Sequence, residues 1–129
     1  MSGNVLPDTS VIVELLRGNP VIRSQLEQSG ALYTFSVILG ELFYGARISG
    51  KVIENMQSIN SFANETTLLT CDVDTAREYS LIRKQLRDKG RPIPENDIWI
   101  AAAARQHTLT LVTRDAHFSV IDGLNYESW

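Results

Sequence analysis

Apolar residues recur along this chain in two rhythms, and the changes between them divide it into short strands and longer helices. Compact apolar runs at Asn4 to Leu6, Leu32 to Phe35, Thr67 to Thr70 and Thr110 to Thr113 read as β-strands. Between them the spacing lengthens to that of a helix. Helices are predicted over Ser10 to Arg17, stopped by Gly18, over Val21 to Gln28 after Pro20, over Ser36 to Ser49, and over Val52 to Ala63. Thr75 to Lys89 carries the stripe Ala76, Tyr79, Ile82 and Leu86 and ends at Gly90, with Pro92 beyond. A last helix, Glu95 to His107, follows Pro94. Strands alternating with helices imply an α/β fold, a mainly parallel sheet with helices on both faces. Lys89 to Pro94, which combines Gly, two Pro and two basic residues, reads as an exposed loop.

Composition narrows the class. With 129 residues, 43% hydrophobic and 21% charged, the chain is expected to form one domain over residues 1–129 around one core. Its longest apolar runs, such as Val11 to Val13 and Ile98 to Ala104, fall short of the roughly 20 residues that span a bilayer, so no membrane association is expected. The opening Met1 to Pro7 has no basic stretch before a long apolar one, which does not read as a secretory signal, and the cytoplasm is the expected compartment. Cys71 stands alone, excluding an internal disulfide and a thiolate zinc cluster. Any metal site must then be built from oxygens. The net charge of −3 argues against nucleic-acid binding through a global positive field, but acids gathered around cations would reverse the local potential.

The candidate chemistry lies in four acids. Ligands of open α/β sheets bind beyond the carboxyl ends of the strands, and both Asp8 and Asp115 directly follow a predicted strand. Either could also be a plain helix cap or turn former. Glu41 is the only charge between Tyr33 and Ala46, and at helical spacing it shares a face with Val37, Ile38, Gly45 and Ile48. A carboxylate on an apolar stripe wants a cation, a basic partner or an edge of solvent. Asp97 occupies the first turn of its helix, where acids suit the dipole, above the mostly small face of Ile100, Ala101 and Ala104. Oxygen-only clusters suit Mg²⁺ or Mn²⁺, ions that activate water against a phosphodiester. Thr9, Ser10 and Thr113 are candidates to hydrogen-bond a water or a phosphate oxygen around them.

Asp8-Thr9-Ser10, Glu41-Leu42 with Gly45, Asp97 with Ile100-Ala101-Ala102, and Thr113-Arg114-Asp115 with Phe118 occur in that order over nearly the whole chain. In this the chain resembles the PIN-domain toxins of the VapC family, as do its closing Ile121-Asp122-Gly123-Leu124 and Trp129. The resemblance implies a PIN-like parallel sheet of four or five strands and a pocket binding Mg²⁺ or Mn²⁺ through Asp8, Glu41, Asp97 and Asp115. It further implies endonucleolytic cleavage of RNA by a metal-activated water, a homodimer, and a small VapB-like antitoxin whose tail approaches the active-site groove. Many relatives carry Asn at the last acidic position, where Asp115 keeps the carboxylate.

Other features are weaker. Arg83, Lys84, Arg87, Lys89 and Arg91 either contact RNA or form a solvated helix face. His117 reads as an exposed turn histidine rather than a proton shuttle. Phe35, Phe43, Tyr44 and Trp99 read as core or subunit surface, with Phe43 and Tyr44 away from the face of Glu41. Two other function classes stand beside the nuclease. A phosphate-receiving regulatory domain would need adjacent acids after the first strand, where Thr9 and Ser10 stand instead; a non-catalytic RNA-binding or scaffold module would not need all four acids.

Overall fold

The computed structural model describes residues 3–129, so Met1 and Ser2, the start of the Met1 to Pro7 opening, lie outside the described residues. The elements alternate as the spacing predicts. They run β1 (Val5–Pro7), α1 (Thr9–Leu16), α2 (Pro20–Glu27), β2 (Tyr33–Phe35), α3 (Ser36–Arg47), α4 (Val52–Asn64), β3 (Thr67–Leu69), α5 (Val73–Lys89), α6 (Glu95–Gln106), β4 (Thr110–Thr113), a 3-10 turn (Ala116–Val120) and β5 (Tyr126–Ser128).

Differences from the expected boundaries have local causes. α2 begins at Pro20 rather than after it, because Asn19 caps the first turn and proline tolerates the first helical position. α5 begins two residues early, where Asp72 and Thr75 exchange side-chain and backbone hydrogen bonds in a capping box. It ends where Gly90 adopts φ 65°, a left-handed cap. Of its expected stripe Ala76 is exposed, and buried Thr75 takes its place beside Ile82 and Leu86. β5 has no counterpart among the predicted strands, since its alternation of exposed and half-buried residues carries no apolar run.

All strand pairings are parallel, in the order β1-β4-β5 and β2-β3. The two ladders meet at an isolated parallel bridge between Val5 and Leu32 and a Val5 N–H bond to the Ala31 carbonyl. The expected single sheet is thus interrupted between β1 and β2. Helices cover it on both sides, with separate apolar clusters. The larger holds Leu6, Ile12, Phe35, Ile82, Leu111 and the alanines of α6; the smaller holds Val5, Val11, Ile22, Leu26 and Val112. Adjacent residues of β1 and β4 fall in opposite clusters, as a two-sided sheet requires. Among the described residues, no helix is long and apolar enough to cross a membrane.

Candidate active site

β1 and β4 run side by side with Pro7 opposite Val112, so the residues after each strand emerge at one edge of the sheet. Asp8 stands there, only 3% exposed. Its Oδ1 accepts the Val11 N–H at 3.1 Å and the Ser10 hydroxyl at 2.5 Å, while its Oδ2 accepts the Thr113 hydroxyl at 2.5 Å. The cap of α1 and a member of the acidic edge are therefore the same carboxylate. Burial pushes the Asp8 carboxyl above its ordinary range, the donated hydrogen bonds oppose this, and the charge of Asp115 adds to the rise.

Glu41 is half-buried on the flank of α3. The expected apolar stripe through Val37, Ile38, Gly45 and Ile48 is displaced, because the buried row is Ile38, Leu42 and Ala46, spaced by four, while Ile48 is 70% exposed. Glu41 thereby reaches both neighbouring helices. Its Oε1 accepts the Thr9 hydroxyl at 2.5 Å from the start of α1, and its Oε2 accepts the Asn96 side-chain amide at 3.4 Å from the start of α6.

Asp97 lies in the first turn of α6, whose Ile100, Ala101 and Ala104 are buried. The short side chains of the two alanines let the helix pack against β4. Burial pushes the Asp97 carboxyl up; His117, whose Nδ1 is 3.1 Å from Oδ2, draws it down, and the charges of Glu41 and Asp115 raise it again. Asp115 is exposed at the start of the 3-10 turn, and its backbone N–H donates to the Thr113 hydroxyl at 2.9 Å.

Asp8 and Asp115 are thus within electrostatic reach of each other, and Asp97 is within reach of both Glu41 and Asp115, so the four predicted acids form a chain of neighbouring charges at one end of the sheet. They do not form a closed ring: among the described residues, no three acidic, histidine or cysteine side chains meet closely enough to hold an ion. Hydroxyls and an amide bond them instead: Thr9 and Asn96 on Glu41, Ser10 and Thr113 on Asp8. Thr9, Ser10 and Thr113 are part of this arrangement, with one correction. Their hydroxyls donate to Glu41 and Asp8 rather than standing free for a phosphate. A groove of about 300 Å³ between α1, α3 and α4 starts at Thr9 and Glu41 and continues over apolar Val13, Leu42 and Ile59.

The family model described as "PIN domain" matches residues 5–124. The chain belongs to the PIN-domain family. It is 32% identical over 125 residues to the ribonuclease VapC2 of Haemophilus influenzae, covering 95% of each chain. It is 31% identical over 125 residues, again 95% of each, to a VapC of Shigella flexneri named as an endonuclease specific for tRNA(fMet). Among solved structures, the VapBC2 complex of Rickettsia felis bound to a promoter DNA fragment superposes with a TM-score of 0.91 at 26% identity, covering 98% of both chains.

Membership of the PIN-domain family sets aside the phosphate-receiving alternative. Two neighbours of the acids were not legible as such. Asn96 precedes Asp97 in an ordinary helix start, and only the fold brings it to Glu41, 55 residues away. His117 is an exposed turn histidine, as read from the sequence, and it also contacts Asp97; its spacing of two from Asp115 is the only signal of that contact. Of the aromatics, Phe35 is buried and Phe43 packs on the core, Trp99 stacks on Tyr79 at 3.9 Å, and Tyr44 is 68% exposed.

Proposed function

We propose that this PIN domain is a divalent-cation-dependent endoribonuclease, the toxin half of a toxin–antitoxin pair, with Asp8, Glu41, Asp97 and Asp115 as its metal-binding and catalytic side chains. One observation carries the reading: Asp8 feels the charge of Asp115, and Asp97 feels those of Glu41 and Asp115, at one end of the sheet in a chain similar to VapC ribonucleases along 95% of its length. The donor set fits Mg²⁺ or Mn²⁺, being oxygen throughout, and a cation stabilises the charged form of Asp8 and Asp97, which burial and, to a smaller degree, neighbouring charge push up. When bound, such an ion supplies charge neutralisation at the phosphodiester and a lowered pKa for the attacking water.

The remaining work falls to the chain's own residues. Ser10 and Thr113 fix both oxygens of Asp8, Thr9 and Asn96 fix those of Glu41, and His117 steadies Asp97. Orientation of this kind lowers the cost of assembling the reacting geometry. The reaction is hydrolysis: the water oxygen joins phosphorus as the bond to the leaving ribose oxygen breaks. The partners on this reading are an RNA, a small VapB-like antitoxin for which the apolar groove beside Glu41 offers a seat, and a second copy of the chain. The protein then acts in the cytoplasm, where its substrate is.

The test is inducible expression in a bacterium followed by mapping of new RNA 5′ ends. Discrete ends that appear with the wild type and not with Asp97→Asn support the reading. Identical end maps for the two proteins contradict it.

A further inference from the structure

A second hollow lies beside the start of α6, the helix whose first turn carries Asp97. It has a volume of about 680 Å³ and is set between α5, the 90–94 loop and the start of α6, with Leu86 and Ile98 as its apolar floor. Arg83, Lys84 and Arg87 rim it from α5, and Glu95, two residues before Asp97, lines it from α6. Pro92 and Ile93 also line a smaller hollow of about 200 Å³ together with Arg91 and His117, the residue that touches Asp97. The two hollows thus share the 92–93 wall; the larger is lined by Ile98, the residue after Asp97, and the smaller by His117, which contacts Asp97.

Charge marks this surface out. Five of the chain's 12 lysines and arginines fall between residues 83 and 91, in a chain of net charge −3. Three of them are held locally: Arg83 by Glu95 and Tyr79, Lys84 by Asp88, and Lys89 by Asp122. Arg87 and Arg91 are exposed, and among the described residues neither has an ion pair. An apolar hollow beside arginines without counter-ions suits one kind of ligand. Unpaired RNA presents a flat base for an apolar or aromatic wall and a phosphate for a guanidinium.

We propose that the α5–α6 hollow is a nucleotide subsite for the RNA strand on one side of the scissile bond, taking an unstacked base against Leu86, Ile93 and Ile98 while Arg87 and Arg91 hold the adjoining phosphates. This deepens the nuclease reading and takes its substrate class from it. The Arg83–Glu95–Tyr79 network sets the wall of the subsite relative to the turn that carries Asp97, because Tyr79 and Arg83 both bond Glu95. Specificity for the base at this position then resides in α5 and the loop rather than in the acids.

The test compares the full chain with Arg87→Ala/Arg91→Ala, using Arg23→Ala, an exposed arginine on α2, as control. A fluorescein-labelled single-stranded RNA of mixed sequence is bound in EDTA at several salt concentrations, and Mn²⁺-supported cleavage is measured separately. The double variant is expected to melt like the wild type, to raise KM about tenfold with kcat unchanged, and to lower the salt slope by about 1.4, two phosphates at about 0.7 each. A KM and slope equal to those of Arg23→Ala overturn the subsite and leave the nuclease intact. If the wild type fails to cleave, the nuclease reading falls, while the salt slope in EDTA still decides the subsite. A loss of dimer mass in the double variant with an unchanged slope also overturns it, assigning the hollow to a second copy.

Discussion

The hydroxyl of Thr113 donates to Oδ2 of Asp8 at 2.5 Å, tying the end of β4 to the residue after β1 across 105 positions of sequence. The same hydroxyl accepts the Asp115 N–H, so one fully buried threonine sets the spacing between two acids from different strands. Thr113→Val keeps the shape and removes both bonds. RNA cleavage should fall by about 10- to 100-fold and stability by about 1–3 kcal/mol, as for other supporting residues that leave a buried polar atom without its partner. Thr113→Ser, which keeps the hydroxyl, should restore most of the activity. Equal activity in Val and Ser variants would show that the hydroxyl is dispensable.

Asp8 should cost the cation-free protein stability. Its folded carboxyl lies above the ordinary value of 3.8, chiefly through burial, so folding favours the protonated form. That contribution is fully present below the unfolded value and is lost as pH rises through the raised folded value. Asp97 is raised too and carries the same sign. In EDTA, stability from urea unfolding should decline as pH climbs from about 4 towards neutrality. Asp8→Asn keeps an acceptor for Val11 and removes the charge, so its profile should be flatter and its stability at neutral pH higher, while cleavage is abolished. A wild-type profile that climbs steadily to neutrality contradicts this account of the buried acid.

Cations should reverse that burden. A ligand at 100 times its Kd adds about 2.7 kcal/mol to the folded state, so Mn²⁺ or Mg²⁺ should raise the melting temperature of the wild type by several degrees. Asp97→Asn should respond far less. Equal shifts in the two proteins, read by differential scanning calorimetry, would locate the ion elsewhere.

At the far end of α5 the capping box gives a prediction of opposite pH sign. Asp72 is held below its ordinary value by hydrogen bonds from Thr75 and Gln106. Its stabilising effect is present above the unfolded pKa and disappears as pH falls through the lowered folded one. Asp72→Ala should lower the melting temperature at pH 7, with the difference from wild type closing under strongly acidic conditions. Cleavage measured well below the melting temperature should be unchanged.

Much of this architecture is legible in the order of residues. Gly18, Gly90 and the prolines punctuate helices whose boundaries the structure moves by only a residue or two, since capping chemistry is local. β5 was not legible because a strand of one exposed, one half-buried and one exposed residue has no apolar signature, and it forms only because β4 offers an edge. Within the site, Asp8 and Asp115 could be found from their position after apolar strands. Asn96 and His117 could not, since what defines them is contact with Glu41 and Asp97 from other parts of the chain. The buried row of α3 advances by four residues, through Ile38, Leu42 and Ala46, and so lies one step of the helical wheel from the face that mixed spacings of three and four predict for Glu41.

In the proposed function, four carboxylates at one sheet edge hold a divalent cation for RNA hydrolysis. The most direct measurement is cleavage of total RNA by the purified protein, with Mg²⁺ or Mn²⁺ against EDTA, beside Asp97→Asn prepared in the same way. Discrete fragments that require the cation and vanish in the variant are the predicted result. Fragments that persist in EDTA, or that the folded variant produces at the wild-type rate, would contradict it.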